Sequence, residues 1–427
     1  MDELLERHRR AMGDDAPLFY DQPIEVVRGD GVWLHTADGE RYLDLYNNVP
    51  CVGHANAHVV DAVARQAGTL NVHSRYLHEG VVDYVERLVA LHHDGIESAV
   101  LACSGTEASE VAIMMARAAT GRHGIICTDA TYHGNSTLVS KMSWLPVGTG
   151  SADVRSITTP QRYRPLAADA DDAELLQLHL DELAATIETL EASGVGLAAM
   201  MICSILANEG LPDVPTGWFE QATAMVRSAG GLVIADEVQA GFARSGRWWG
   251  YQTSGFEPDI VCMGKPMGNG LPLSGVAAAH DLVTGFRRRH RYFNTFASSP
   301  MQAAAGGAVI DEIEQRGLVA QVQAVGDELR TALREMAADD PRMGDVRGHG
   351  LFVGVDWVSP GSHDPDVDGA AAMVEAIKRR GMLMGKAGQH GNVLKIRPPL
   401  VFEHEHAELF LAAFADALAD PAVPSAT

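Results

Sequence analysis

The chain has 427 residues, of which 46% are hydrophobic and 21% are charged, a composition typical of a soluble globular protein with more than one domain. Its 33 basic and 56 acidic residues give a formal net charge of −23, which repels phosphate backbones and anionic membranes and so argues against nucleic acid or a membrane as a partner. The five cysteines are scattered and none has CxxC spacing, which argues against a metal site and a disulfide framework. The N-terminus lacks the basic-then-apolar order of a signal peptide, which argues against export. Both observations favour a cytoplasmic location.

The first 60 residues are mixed in pattern, with one clear supersecondary feature. Residues 31–35 and 41–44 have strand character, and Ala37, Asp38 and Gly39 between them can supply the positive φ that a tight turn needs. These residues predict a β-hairpin. We expect residues 1–60 to form an N-terminal segment that packs with the C-terminal domain.

From about residue 60, helical patterns alternate with short apolar runs. The helical patterns cover 81–93, 107–119 and 218–229, and the apolar runs cover 98–103, 124–128, 198–204, 231–236 and 259–263. This alternation predicts a large α/β domain over 61–304, in which helices cover a mostly parallel sheet. Residues 150–182, rich in Ala, Asp, Arg and Pro, are expected to form an irregular excursion.

The pattern changes after residue 304. A long helical pattern at 301–338 precedes an apolar run at 351–356, and a helical pattern at 368–380, a strand-like run at 393–397 and a final helical pattern near 404–418 follow. We therefore expect a smaller α+β domain over 305–427.

Two of the apolar runs end in chemically useful side chains. The run that begins at Gly231 ends in Asp236 and Glu237, and the run that begins at Asp259 ends in Lys265. In open α/β sheets, ligands bind beyond the C-terminal ends of the strands. An amine and a carboxylate at that edge suit a pyridoxal phosphate enzyme, in which the lysine forms a Schiff base with the cofactor and the acid partners the pyridinium nitrogen.

A phosphate site is indicated by Ser104, Gly105 and Thr106, which follow an apolar run and open a helical pattern. Backbone N–H groups and a helix dipole at one point suit a dianionic phosphate. The alternative is an ordinary helix N-terminus capped by Ser104 or Thr106, and this alternative would be favoured if the motif stood alone. With Lys265 and Asp236 in the same chain, we favour the phosphate site.

Two further residues are less informative by themselves. Tyr132 follows the strand-like run 124–128, where an aromatic ring can stack on a flat heteroaromatic ring or, alternatively, pack on its own sheet edge. Thr295 is a hydroxyl on a loop and has no assignable role from its position alone.

Ordered motifs along most of the chain resemble class III (ornithine/GABA-type) aminotransferases of pyridoxal phosphate fold type I. The motifs lie at 38–44, 52–54, 104–108, 132–134, 235–242, 264–265, 295–296, 346–351 and 397–400. The resemblance implies a large domain with a mostly parallel seven-stranded sheet, a smaller α+β domain, and a homodimer with shared active sites. It identifies the cofactor as pyridoxal 5′-phosphate.

Within the class, residues 71–78 and 264–270 look most like the subgroup that contains ethanolamine-phosphate and phosphohydroxylysine phospho-lyases. Bacterial relatives with these strings are often transaminases. The resemblance to the subgroup therefore leaves the reaction open.

The resemblance also implies roles for individual residues. Lys265 holds the cofactor and moves the proton at the substrate Cα, and Asp236 keeps the pyridine nitrogen protonated because a nearby carboxylate raises the pKa of a cation. The other implied cofactor contacts are Ser104, Gly105 and Thr106 at the phosphate, Tyr132 on the ring face, Gln239 near the ring hydroxyl, His133 as a supporting group, and Thr295 at the phosphate of the neighbouring subunit.

Two departures from the family pattern concern the substrate anion. Many class III enzymes carry an arginine that grips a substrate carboxylate and a glutamate that pairs with this arginine when it swings away. The arginine position is Lys395 here, with Arg397 two residues later, and the glutamate position is Cys203, or Glu209 if the loose alignment across 203–215 is shifted. Lysine lacks the planar fork of a guanidinium, which argues against ordinary handling of glutamate or 2-oxoglutarate.

The sequence favours a transaminase that transfers an amino group between an amine or amino acid and a 2-oxo acid or aldehyde by ping-pong kinetics. The alternative is a phospho-lyase that eliminates phosphate and ammonia from a phosphorylated amino alcohol or amino acid, with Arg75, Lys395 and Arg397 as candidate anion donors. An epimerase is a third use of the same carbanion. A non-enzymatic role is disfavoured because Lys265, Asp236 and the phosphate motif are all intact.

Overall fold

The computed structural model of the chain describes residues 2–147 and 149–424. The N-terminal part contains α1 (Asp2–Met12), β1 (Val26–Asp30), β2 (Trp33–Thr36) and β3 (Arg41–Asp44). Strands β2 and β3 pair antiparallel, as the predicted hairpin requires. In the turn between them, Gly39 has a φ of 91°, a left-handed conformation that favours glycine.

Seven strands form the central sheet. They are β4 (Ser98–Ala102), β5 (Gly124–Thr128), β6 (Val154–Ile157), β7 (Leu197–Cys203), β8 (Leu232–Asp236), β9 (Ile260–Met263) and β10 (Ser274–Ala278), in the spatial order β4-β10-β9-β8-β7-β5-β6. Strand β10 runs antiparallel to both of its neighbours, and the remaining pairs are parallel. The predicted seven-stranded, mostly parallel sheet is therefore confirmed.

Helices cover both faces of this sheet, which explains why strands such as β5 and β7 are apolar and buried along their whole length. The helices up to residue 290 are α2 (Ala57–Ala67), α3 (Glu79–Ala90), α4 (Gly105–Thr120), α5 (Asp172–Ala192), α6 (Trp218–Ser228), α7 (Gly250–Ser254) and α8 (His280–His290). Within the described ranges, no helix is both long enough and apolar enough to cross a membrane.

The C-terminal part has its own antiparallel sheet. Its elements are α9 (Pro300–Gln315), α10 (Leu318–Asp339), β11 (Met343–His349), β12 (Phe352–Trp357), α11 (Val367–Arg379), β13 (Met382–Leu383), β14 (Gly385–Ala387), β15 (Val393–Ile396) and α12 (His404–Leu418). Strands β11, β12, β15 and β14 form the sheet, whereas β13 pairs in parallel with β3 of the N-terminal hairpin. The domain boundaries at residues 60 and 304 remain a prediction.

The structure corrects two sequence predictions. Residues 150–182 are not an irregular excursion, because they contain β6 at the edge of the central sheet and the beginning of α5. Asp171 caps α5 and forms a reciprocal capping box with Glu174, a local signal that outweighs the biased composition. The helical pattern at 301–338 is two helices, interrupted at Gly317, whose φ is 62°.

Candidate active site

The C-terminal ends of three adjacent parallel strands carry the candidate site. Cys203 is the last residue of β7, Asp236 is the last residue of β8, and Lys265 follows the end of β9 by two residues. In the ladders, Asp236 pairs with Cys203 on one side and with Cys262 on the other. Because neighbouring strands lie about 4.8 Å apart, this register places the carboxylate and the lysine at one edge of the sheet.

A cavity of about 300 Å³ opens at this edge. It is lined by Gly105, Thr106, Tyr132, His133, Gly134, Cys203, Asn208, Asp236, Val238, Gln239 and Lys265. The structure thus brings together all the residues that the sequence assigned to the cofactor, apart from Ser104 and Thr295.

Lys265 has the properties of a nucleophilic amine. Burial, followed by the positive charge of Arg397, lowers the pKa of the Lys265 side chain to about 8, while Asp236 acts in the opposite direction. Burial lowers the pKa of an amine because it disfavours the charged form. An amine with such a pKa is partly unprotonated near neutral pH and can attack a carbonyl carbon.

Asp236 is held by contacts on both of its oxygens. Oδ2 lies 2.6 Å from His133 Nδ1, and Oδ1 accepts the backbone N–H of Val238 at 2.9 Å. The second ring nitrogen of His133, Nε2, lies 3.1 Å from Thr131 Oγ1. These contacts fix the direction of a buried carboxylate that faces the cavity.

Helix α4 begins at the cavity wall. Ser104 is its N-cap, and the Ser104 hydroxyl accepts the Glu107 N–H at 3.2 Å in a capping box. The alternative prediction, that Ser104 caps the helix, is therefore correct. The N-terminus of the helix nevertheless faces the cavity. Thr106 Oγ1 donates to Asn135 Oδ1 at 3.0 Å. A Cβ atom on Gly134, whose φ is 142°, would lie 2.7 Å from Thr106 Oγ1, so this position requires glycine.

Two buried cations, Lys395 and Arg397, lie behind Gln239 and are 6% and 4% exposed. Gln239 Oε1 accepts a hydrogen bond from Arg397 Nη1 and lies 3.4 Å from Lys395 Nζ. Arg397 Nε and Nη2 donate to the Tyr46 carbonyl at 3.0 and 2.9 Å. Burial, followed by the charges of Arg397 and Lys265, lowers the pKa of Lys395 well below its ordinary value. Burial likewise lowers the pKa of Arg397 to about 10.

Neither candidate for the family glutamate forms an ion pair with these cations. Cys203 lines the cavity, and burial raises the pKa of its thiol well above the ordinary value, so the thiol is neutral. Glu209 is turned towards Thr128, whose hydroxyl donates to Glu209 Oε1 at 2.6 Å. In residues 2–147 and 149–424, no carboxylate forms an ion pair with Lys395 or Arg397.

Arg75 and Thr295 do not line the cavity of the single chain. Arg75 is exposed, and its guanidinium carbon lies 4.1 Å from the centre of the Phe293 ring. Thr295 is also exposed, two residues from Phe293 in the chain. Within a single chain, Arg75 therefore lies apart from Lys395 and Arg397, and its role as an anion donor stays a prediction.

Asn208 is a cavity residue that the sequence analysis missed. It lies in the loop after β7, where its side chain contacts both Tyr132 and Gln239. Its position beyond the C-terminal end of a parallel strand was an available signal, because functional side chains collect there.

The family model "Aminotransferase class-III" matches residues 19–418. The chain belongs to the class III aminotransferase family. This confirms the resemblance found in the sequence and makes the protein a pyridoxal-phosphate-dependent enzyme of fold type I.

Relatives of this class III enzyme bear two kinds of names. It is 34% identical to "Alanine--glyoxylate aminotransferase 2-like" of Drosophila melanogaster, over 97% of this chain and 87% of that protein. It is 32% identical to "Ethanolamine-phosphate phospho-lyase homolog 1" of Caenorhabditis elegans, over 95% of this chain and 91% of that protein. The solved structure of a phospholyase from Arthrobacter in complex with phosphoethanolamine superposes with a TM-score of 0.94 and 42% identity, over 98% of this chain and 99% of that one.

The cavity fits pyridoxal 5′-phosphate by its own chemistry. It offers a largely buried amine with a lowered pKa, a buried carboxylate, and a helix N-terminus for a phosphate. Gly105 lies against the wall, where an added Cβ would meet Val238 Cγ1 at 3.0 Å, so the backbone itself forms the surface. These are the groups that an aldehyde, a pyridine nitrogen and a phosphate require.

Proposed function

We propose that this class III enzyme is a phospho-lyase that eliminates phosphate and ammonia from a phosphorylated amino alcohol or amino acid. The observation that carries the proposal is the pair of buried cations, Lys395 and Arg397, for which the described residues provide no paired carboxylate. A buried charge without a partner costs on the order of several kcal/mol, and this cost lowers the pKa of Lys395 until an anion binds. A dianionic substrate phosphate would supply both counter-charges at once.

The hydrogen-bonding groups that remain free suit a phosphate. Among the described contacts, Arg397 uses Nε and one Nη2 proton on Tyr46 and one Nη1 proton on Gln239. A guanidinium has five N–H donors, so one donor remains on each Nη atom, and these two form a fork. Lys395 adds a point charge beside it. A carboxylate would leave one of the two positive charges without compensation.

The lack of a carboxylate ion-paired with Lys395 or Arg397 among the described residues favours a single anionic substrate. A ping-pong transaminase binds two different substrates in turn at one site, and a neutral substrate would leave both cations without an ion-paired anion. The Cys203 thiol is neutral, and Glu209 accepts from Thr128 and acts on Lys395 only at a distance, so neither forms an ion pair with the cations. The similarity to the phospholyase whose structure contains phosphoethanolamine supports the same reading.

The cofactor, when bound, supplies an electron sink for a carbanion at the substrate Cα. We propose that Lys265 binds the cofactor covalently and that its Nζ atom, once released, accepts the proton from Cα. Asp236, oriented by His133, would keep the ring nitrogen protonated because its negative charge favours the cation.

The remaining proposed contacts hold the cofactor in place. The backbone N–H of Gly105 and the hydroxyl of Thr106 would bind its phosphate at the N-terminus of α4. Tyr132, which lines the cavity and is 41% exposed, would cover the face of the ring.

Lys395 and Arg397 would hold the leaving group during elimination. As the proton leaves Cα, its bonding electrons form a Cα–Cβ double bond, and the Cβ–O bond breaks with its electrons on the phosphate. Two cations stabilise the negative charge that develops on the departing oxygen. The resulting enamine takes up one water and yields a carbonyl compound and ammonia.

Transamination is the second candidate. The Drosophila relative carries an aminotransferase name, and removal of a Cα proton begins both reactions. The sequence favoured transamination, and the buried cation pair is our reason for proposing the phospho-lyase instead.

Product analysis of the holoenzyme distinguishes the two reactions. With O-phosphoethanolamine and no oxo acid, a phospho-lyase releases phosphate, ammonia and acetaldehyde in equal amounts. A transaminase releases none of them without an amino acceptor, and with L-alanine and glyoxylate it forms pyruvate and glycine. Turnover that depends on the acceptor, with no phosphate release from any phosphorylated amine tested, would refute the phospho-lyase proposal.

A further inference from the structure

Two side-chain amides, those of Gln239 and Asn208, and one backbone carbonyl form a continuous hydrogen-bonded chain across the cavity wall. At one end, Gln239 Oε1 faces Arg397 and Lys395. Gln239 Nε2 donates to Asn208 Oδ1 at 3.0 Å. Asn208 Nδ2 donates in turn to the backbone carbonyl of Tyr132 at 3.2 Å. Asn208 thus connects the two cations with the loop that carries Tyr132.

The two cations determine which groups donate and which accept along this chain of hydrogen bonds. A cation repels an N–H donor, so Gln239 must present its oxygen to Arg397 and Lys395 and its NH₂ group to Asn208. Asn208 must then present its oxygen to Gln239, which leaves its NH₂ group for the Tyr132 carbonyl. Each amide can adopt only one of its two orientations while the contacts persist.

The backbone around Asn208 holds the residue in place. Leu206 and Leu211 have φ values of 49° and 58°, which are unfavourable for residues with a side chain, and the Leu211 N–H donates to the Leu206 carbonyl at 2.9 Å. The Gly388 N–H donates to the Asn208 carbonyl at 2.9 Å. A strained loop fastened at these points is suited to presenting one side chain.

The loop at the far end leads directly to the cofactor residues. Tyr132 lines the cavity, and the next residue, His133, contacts Asp236. A change in the position of the Tyr132 carbonyl would therefore act on the stacking ring and on the partner of Asp236.

We propose that Asn208 is a positioning and specificity-determining residue that couples the anion-binding cations to the Tyr132 loop. It holds the Gln239 oxygen between Arg397 and Lys395, which reduces their mutual repulsion and keeps their free donors directed at an incoming anion. It also fixes the Tyr132 carbonyl. The identity of the anion as a substrate phosphate rests on the proposed function.

Asn208→Leu tests the role, because leucine has a similar size but neither donates nor accepts. In the holoenzyme, the dissociation constant for inorganic phosphate, measured calorimetrically, should rise about tenfold, as should KM for O-phosphoethanolamine. The kcat should fall by less than about threefold, since the reacting groups remain. The affinity for pyridoxal phosphate should also fall, because the Tyr132 loop has lost a contact.

A control variant and a second genetic background distinguish a positioning role of Asn208 from general damage to the fold. Gln389→Leu removes a comparable amide contact, that of Gln389 Nε2 with Asp129 at 3.0 Å, without touching the chain of amides, and it should leave the phosphate affinity unchanged. In a Gln239→Ala background the chain of hydrogen bonds is already interrupted. Adding Asn208→Leu should then change the phosphate affinity by less than about twofold. Asn208→Ala provides a smaller truncation if the leucine variant is unstable.

The outcomes distinguish this proposal from the proposed function. The proposed role of Asn208 is overturned if Asn208→Leu leaves the phosphate affinity unchanged. It is also overturned if Asn208→Leu lowers this affinity by the same factor in the parent enzyme and in the Gln239→Ala background. If the parent enzyme binds phosphate but releases none from any phosphorylated amine tested, the phospho-lyase proposal fails, and the same set of phosphate affinities still decides the role of Asn208. If the parent enzyme binds no phosphate, both proposals are wrong.

Discussion

His133 Nδ1 lies 2.6 Å from Asp236 Oδ2, and the two side chains are 0% and 7% exposed. Because Asp236 accepts from Nδ1, the other nitrogen of a neutral imidazole is an acceptor, and the Thr131 hydroxyl at 3.1 Å can donate to it. Thr131 and Asp236 therefore fix the orientation of the His133 ring. The histidine serves as an orienting group for the carboxylate, and both of its ring nitrogens are occupied by these contacts.

Asp236→Asn should retain bound cofactor but lose at least about 100-fold in kcat, because an amide is nearly isosteric yet cannot stabilise a positive charge on the ring nitrogen. His133→Ala should have a smaller effect, of about tenfold, since it removes only the orienting contact. Steady-state kinetics together with the absorption spectrum of the bound cofactor would measure both.

The neighbouring carboxylate provides the control for this substitution. Glu237 accepts the backbone N–H groups of Gly250 and Tyr251, both at 2.8 Å, and so supports the fold at the beginning of α7. Glu237→Gln should lower the melting temperature and leave kcat nearly unchanged. Near-parental kcat in Asp236→Asn would show that Asp236 has only a structural role.

Lys265→Ala should abolish the cofactor chromophore and reduce turnover by more than about 1,000-fold, because it removes both the covalent attachment and the base. Lys395→Ala is the matched control, since Lys395 is a second buried lysine beside the same cavity and should leave the attachment intact. Borohydride reduction followed by peptide mapping identifies the modified residue. Recovery of the label on any lysine other than Lys265 would contradict the assignment.

The sequence predicted the cofactor end of the site better than the substrate end. Asp236 and Lys265 follow apolar runs that become adjacent parallel strands, so the order of elements alone brings them to one edge. Asn208 and Gln239 meet only because a loop folds with Leu206 and Leu211 in left-handed conformations. No local pattern in the chain encodes that geometry.

The other differences between the sequence predictions and the structure have similar physical causes. Composition suggested an irregular segment at 150–182, although Asp171 and Glu174 have the spacing of a capping box and mark the beginning of α5. Arg75 was grouped with Lys395 because all that the sequence shows is charge. Only the folded chain shows that one is exposed and the other is buried.

Lys395→Met should stabilise the enzyme while weakening anion binding. Lys395 is buried, and its described contact with Gln239 is long, at 3.4 Å, so an apolar side chain of similar shape should raise the free energy of unfolding by about 1–3 kcal/mol. Phosphate should raise the melting temperature of the parent enzyme but not of the variant. Lys386→Met, at an exposed lysine on the adjacent strand β14, should change neither property. A destabilised variant with normal phosphate binding would show that Lys395 supports structure alone.

Anion binding should be linked to proton uptake. The pKa of Lys395 in the empty site lies below its ordinary value because of burial and neighbouring cations, and a bound anion raises it again by favouring the charged form. Affinity should therefore fall as pH rises from the lowered pKa of Lys395 in the empty site towards the ordinary lysine range. Sulfate is a suitable probe because it remains a dianion throughout. Calorimetry of the holoenzyme in buffers of different ionisation enthalpy should detect the proton uptake, and Lys395→Met should remove it. Affinity that is independent of pH would contradict a titrating lysine at the site.

A large apolar surface surrounds Thr295. Tyr76, Leu77 and Phe296 are 65%, 101% and 77% exposed, and Arg75 lies on the ring of Phe293 in the same region. Exposed apolar groups of this size are typical of an interface. We propose that a second copy of the chain covers them in a two-fold symmetric dimer and that Thr295 completes the phosphate site of its partner.

Mixing two inactive variants tests whether the site is shared. Thr295→Asp should be nearly inactive because its carboxylate repels the cofactor phosphate, and Lys265→Ala is inactive by itself. If Thr295 serves the partner, each hybrid dimer has one site with an intact Lys265 and an intact Thr295, so random mixing in equal amounts should restore about one quarter of the parental activity. If Thr295 serves its own chain, both sites of the hybrid are defective and mixing restores nothing. A parent enzyme that sediments as a monomer and is fully active would also exclude a shared site. In a single chain, Thr295 does not line the cavity, so full activity would then not require Thr295 at the phosphate.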